Sequence, residues 1–160
     1  MRKRTVRRKV WTKDANAFAS AISGACIIDD GRLEQLRVRD RAAVEAFRTG
    51  TATDQHWRDI ADLVNISEVL CEWGVGTQEV APVLKDVERH LREAIDRYQR
   101  TQRMGTTGPG LKAFADLLEY FDLQRTSVGL ATYERAVQKV IDRVRSGYTG
   151  SKVEPQGATA

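Results

Sequence analysis

The chain has 160 residues, 26 of them Lys or Arg and 22 Asp or Glu, with 41% hydrophobic and 30% charged positions. That balance suits a single globular domain with a sizeable buried core, and no apolar run is long enough to span a bilayer, which argues against a membrane role. Seven of the basic residues fall within residues 1–13, so the remainder carries 19 basic against 22 acidic residues and the positive excess belongs to the leader alone.

That leader, "MRKRTVRRKVWTK", has no acidic residue and reads as a disordered tail over residues 1–13. Arg2, Lys3, Arg4, Arg7, Arg8 and Lys9 are candidate nucleic-acid contacts, since cationic side chains displace the counterions of phosphates, and Trp11 among them could stack on a base. The competing reading is a solvated basic end with no ligand. The segment lacks the apolar stretch and small-residue cleavage site of a signal peptide, so a cytoplasmic location is expected.

Residues 14–147 read as one helical domain. A short helix is expected over 14–23, with Asp14 as cap and Gly24 as stop, burying Ala17, Phe18 and Ile22. In "DDGRLEQLRVRDRAAVEAFRTG", Asp30 reads as the cap of a second helix and Gly50 as its stop, with Leu33, Leu36, Ala43, Val44 and Phe47 at helical spacing. Asp40 falls on that apolar stripe and is expected to make a buried or half-buried polar contact. The opposite face carries Arg37, Arg41 and Arg48, candidate partner-binding residues because arginine is enriched where interfaces concentrate their energy.

The third helix runs from a Thr53 cap to Trp73. Its apolar arc, which includes Trp57, Ile60, Leu63, Val64, Ile66, Leu70 and Cys71, is wide enough to predict a central helix touching several neighbours. The fourth follows Thr77 and continues to about Arg103, with Val80, Leu84, Val87, Leu91 and Ala94 on its stripe. Pro82 predicts an irregular turn near its start. If these two stripes pack as a hairpin over "GVGT", they form the centre of the core.

"MGTTGPG" ends that helix and starts a fifth, with Pro109 in its first turn and Leu111, Phe114, Leu117, Leu118 and Phe121 facing inward. A sixth is expected from a cap at Thr126 or Ser127 to Gly147, presenting Leu130, Tyr133, Val137, Val140, Ile141 and Val144. Residues 148–160 are nearly devoid of apolar side chains and read as a second disordered tail. The fold class that follows is all-α: a bundle of five or six helices with a basic N-terminal and a polar C-terminal tail.

Chemistry-bearing residues are sparse. Cys26, His56, Cys71 and His90 lack the close pairing of zinc ligands, so no metal is expected. The cysteines read as small buried hydrophobes, His56 as exposed, and His90 as a residue at the core boundary. No nucleophile elbow and no phosphate loop is present, and no cofactor site is recognisable, so an enzyme is not expected.

The segments "LRVRDRAAVEAFRTGTATDQHWRDIADLVNISEVLCEWGVG" and "YQRTQRMGTTGPGLKAFADLLEYFDLQRTSVGLATYERAV" resemble, in order and connectors, a group of small uncharacterised accessory proteins encoded by bacteriophages and prophages of proteobacteria. The resemblance implies a setting and no catalytic motif. It implies a non-catalytic protein that binds a host protein or nucleoprotein complex in the host cytoplasm, anti-defence inhibitors such as anti-CRISPR proteins included. The alternative is a DNA- or RNA-binding accessory protein acting through the basic tail. Homodimerisation stays open, because a wide apolar arc could be covered by a second copy.

Overall fold

The computed structural model describes residues 28–147, which form five helices and, within that range, no strand. The helix expected over 14–23, both tails, Cys26, and the candidates Arg2, Lys3, Arg4, Arg7, Arg8, Lys9 and Trp11 lie outside the described residues.

Helix α1 spans Asp30–Thr49 and its cap is Asp29, one residue earlier than expected. Asp29 is still extended, so its carboxylate can accept the Arg32 N–H at 2.9 Å, whereas Asp30 already has helical geometry. Gly50, at φ 73°, closes the helix in the left-handed region that glycine enters without strain.

Helix α2 covers Asp54–Glu72 behind the Thr53 cap, as the sequence predicts. The Thr53 N–H donates to Nδ1 of His56 at 3.1 Å, which makes His56 a half-buried capping residue and not the exposed one expected.

Helix α3, Thr77–Thr101, runs unbroken through Pro82, so the expected irregular turn is absent. Pro82 and Gln78, whose carbonyl loses its usual amide, are both exposed, so the freed acceptor lies within reach of solvent. Gln102, at φ 56°, ends the helix two residues early by donating its N–H to the Tyr98 carbonyl at 2.8 Å.

Thr107 caps helix α4, Gly108–Ser127, with Pro109 in the first turn. Thr126 and Ser127 do not cap the next helix. Their hydroxyls donate back to the carbonyls of Asp122 and Gln124, at 2.9 and 2.8 Å, and so finish α4. Val128 is extended, and helix α5, Leu130–Arg145, starts after Gly129.

The wide apolar arc of α2 has the consequence expected of it: α2 packs against all four other helices, and its hairpin with α3 is the most extensive pairing. From Ile66 to Cys71 every residue of α2 is buried, so this stretch has no solvent face. Ile60, Leu63 and Leu70 of α2 and Phe114, Leu117 and Phe121 are fully buried in the core, each contributing roughly 1.5–3 kcal/mol on transfer from water. Helix α5 is fastened to α2 at its far end. Glu72 accepts from Lys139 Nζ at 2.8 Å and from Arg143 Nη2 at 2.6 Å, and Lys139 lies 5.5 Å from the Trp73 ring centre.

His90 is inside the bundle at 3% exposure, not at its boundary. The reason is Gly110, whose backbone comes so close that a methyl group there would lie 3.1 Å from the His90 ring and collide with the Thr106 hydroxyl. The His90 ring satisfies Nδ1 on Glu93 Oε2 at 2.9 Å. Among the described residues no helix is long and apolar enough to cross a membrane.

Candidate functional site

Helices α1 and α4 run antiparallel, because Arg37 pairs with Asp122 at one end and Phe47 packs edge-on against Phe114, ring centres 5.2 Å apart, at the other. Their apolar stripes meet underneath. Above them lies a cleft of about 290 Å³, with Arg37, Asp40 and Arg41 on the α1 wall and Ala115, Leu118 and Glu119 on the α4 wall.

The floor of this cleft is ionic. Asp40 is 1% exposed and Arg125 2%, with Arg125 Nη1 donating to Asp40 Oδ2 at 2.9 Å. The expected buried contact of Asp40 is therefore present, and its partner is a whole guanidinium. Arg39, next along α1, donates to the other Asp40 oxygen from Nε and Nη2 at 3.2 and 3.1 Å. The second fork of Arg125, Nη2, donates to Asp122 Oδ1 at 2.7 Å, and Arg37 Nε closes on Asp122 Oδ2 at 2.5 Å. The guanidinium of Arg125 also lies over Phe121, 4.7 Å from the ring centre, while its Nε–H is buried without a partner.

Glu34 continues the series outward, with Arg37 at 3.8 Å and Arg41 at 3.7 Å. These last distances are too long for hydrogen bonds, so the charges attract while the donors stay free. The whole is a chain of alternating charge that begins at Arg39 and ends at Arg41. Each of its three carboxylates, on Asp40, Asp122 and Glu34, lies between two guanidiniums.

Of the three sequence-predicted arginines, the fold brings Arg37 and Arg41 to this cleft and leaves Arg48 apart. Arg48 sits about two turns further on and forks onto Glu45 of its own helix. Arg125 and Asp122 are functional candidates the sequence reading did not name. A signal for Arg125 exists: the α4 stripe Phe114, Leu117, Phe121, extended by one turn, lands on it.

A second buried polar group sits on the opposite flank of α4. Ser67 Oγ donates to Gln124 Oε1 at 2.5 Å, and Gln124 Nε2 donates to the Val75 carbonyl at 2.8 Å and approaches Cys71 Sγ at 3.4 Å. Burial pushes the Cys71 thiol up to about 11 despite the Gln124 contact, so it stays protonated and is no nucleophile at neutral pH. Among the described residues no three His, Cys, Asp or Glu side chains are arranged to hold a metal ion.

No protein-family model, curated protein or solved structure matches the chain. The geometry of the α1–α4 cleft, together with the charge distribution along the chain, is what a functional reading has to rest on.

Proposed function

We propose that the protein is a non-catalytic helical binding protein that engages another protein through the α1–α4 face. In the phage setting that the sequence resemblance implies, it would occlude or redirect a host protein or nucleoprotein complex, a defence complex being one such target. The observation that carries this reading is the cleft itself. It is floored by the buried Asp40–Arg125 pair, and it turns toward solvent a pair of arginines with unspent donors. The same pairing disfavours a polyphosphate there. Three carboxylates already neutralise most of the local positive charge, and phosphate binding needs that charge free.

The second reading, a DNA- or RNA-binding accessory protein, is favoured by one specific observation: seven cationic residues concentrated in positions 1–13 of a chain that is otherwise slightly acidic. Affinity capture from a proteobacterial lysate, with and without nuclease, separates the two. A protein partner retained after nuclease, and lost when Arg37 and Arg41 are both changed to Gln, supports the first. Loss of every partner with nuclease, and an affinity that falls steeply with salt until residues 2–9 are deleted, supports the second.

A further inference from the structure

The four helices around α2 do not close a ring. Helix α4 packs against both α1 and α3, so these three stand side by side, whereas α5 packs extensively, among the described residues, against α2 alone. A furrow is left between α3 and α5, with α2 as its floor. The row Trp57, Ala61, Asn65, Glu68 and Glu72, at spacings of three and four residues on one face of α2, marks its course. At one end Trp57 Nε1 donates to the Leu91 carbonyl of α3 at 3.0 Å, and at the other Glu72 takes its bonds from Lys139 and Arg143 of α5.

The furrow is nonetheless shielded from water. Glu68, on its floor, is 4% exposed. On α3, His90 against Gly110 marks the flank that meets α4; Ala81 and Glu88 lie on the opposite flank, where Ala81 is 2% exposed and Glu88 half-buried. Burial between two helices that make no extensive contact requires a cover.

We infer that residues 14–23 are that cover, lying in the furrow between α3 and α5 as a sixth helix with Ala17, Phe18 and Ile22 turned onto α2. The segment joins the described fold at Ile28, which is itself buried. Its length suits the place: ten helical residues span about 15 Å, and the floor from Ala61 to Glu72 runs about 16 Å. Residues 24–27 reach about 13 Å, enough for one step of roughly 10 Å between neighbouring helix axes. Charge agrees as well, since the furrow carries the carboxylates of Glu68 and Glu88 and the chain leading into it brings seven cations with no acidic residue before Asp14. Residues 148–160 offer too little apolar surface for the same task. Docked in this way, the segment directs the basic leader to the α3–α5 side, across α2 from the α1–α4 cleft.

Amide hydrogen exchange on the full chain, read peptide by peptide, tests the placement. Residues 15–23 should exchange at least about tenfold more slowly than the same sequence as a free peptide, at a rate independent of protein concentration. Phe18→Ser should forfeit about tenfold of that protection, the loss of one buried ring. Ala61→Arg, which raises a long charged side chain from the floor, should free the segment while α4 keeps its protection; if it unfolds the whole chain, Asn65→Arg, at a half-buried position one turn along, makes the same measurement. Ile141→Arg, at a position 38% exposed on the other flank of α5, where Glu134 meets Arg32 of α1, should leave the segment protected. The proposal is overturned if residues 15–23 exchange like the free peptide, if Ile141→Arg frees them and the floor variants do not, or if their protection grows with protein concentration, which would give the furrow to a second copy of the chain.

Discussion

Gln124 and Arg125 are adjacent on α4 and both are buried, yet they serve opposite kinds of polar cluster. Gln124 turns toward α2 and the loop after it, where a neutral amide satisfies a serine hydroxyl and a backbone carbonyl. Arg125 turns toward α1, where it holds two carboxylates apart and ties the cleft floor to the surface. The neutral cluster is closed, with donors and acceptors matched and nothing left over. The ionic one is open-ended, because its pairs run outward from the buried Asp40–Arg125 contact to an exposed guanidinium at Arg41. A closed polar cluster fixes how helices pack; an open one also leaves something to bind with.

The sharpest way to break this contrast is Asp40→Ala. It strands the Arg125 guanidinium, itself 2% exposed, with the half-buried Asp122 as its remaining counter-charge. Removing one partner of a buried pair costs about 3–5 kcal/mol, a large share of the stability of a domain of this size. Urea unfolding should show that loss. Replacing both partners, Asp40→Leu with Arg125→Leu, should recover most of it, since a packed apolar pair of similar volume carries no desolvation penalty. If the double variant is as unstable as the single one, the chain is holding the helices together and not merely tolerating burial.

Gln124→Ala comes next. It leaves the Ser67 hydroxyl and the Val75 carbonyl without their partner in the interior, for which about 1–3 kcal/mol is expected in the same measurement. An effect as large as that of Asp40→Ala would erase the distinction between the two clusters.

The two clusters also differ in how far the sequence betrays them. Asp40 is conspicuous because an acidic residue interrupts the stripe Leu33, Leu36, Ala43, Phe47, and burial of that stripe carries Asp40 with it. Arg125 and Gln124 continue the stripe of α4 in the same way, but Thr126 and Ser127 look like the cap of a new helix and cut the pattern short. Hydroxyl side chains bond equally well forward to free amides or back to carbonyls, and only the neighbouring backbone decides which. Ser67 and Glu68 were hidden for another reason. A helix enclosed on all sides buries its polar positions too, whereas periodicity marks only the apolar ones. The five described helices, by contrast, are legible to within two or three residues, because a cap such as Thr53, a first-turn Pro109 and a stop such as Gly50 act locally.

At the far end of α2 a third polar cluster, this one ionic, offers a milder comparison. Burial raises the pKa of Glu72, but the hydrogen bonds from Arg143 and Lys139 outweigh it and hold the carboxyl below its ordinary 4.5. A depressed folded-state pKa adds stability above the unfolded value and forfeits it as pH falls through the folded one. Glu72→Gln should therefore cost stability at neutral pH, converge on the parent in acid, and flatten the pH dependence between. A parent and variant that lose stability in parallel below pH 4.5 would show that the α2–α5 fastening owes nothing to charge.

The smallest effect expected on the fold is the most informative about the cleft. Arg41 belongs to the same charge chain as Arg125, but at its exposed end, where a contact of 3.7 Å through water-like surroundings is worth little. Arg41→Gln should leave the unfolding midpoint within about 0.5 kcal/mol of the parent, as surface substitutions generally do. Set beside Asp40→Ala, this tests whether one continuous network divides its labour by depth, with its buried members setting the packing of α1 on α4 and its outermost member free to serve a partner. A stability loss at Arg41 comparable to that at Asp40 would mean that the outer guanidinium is already spent on the fold and is not free to serve a partner.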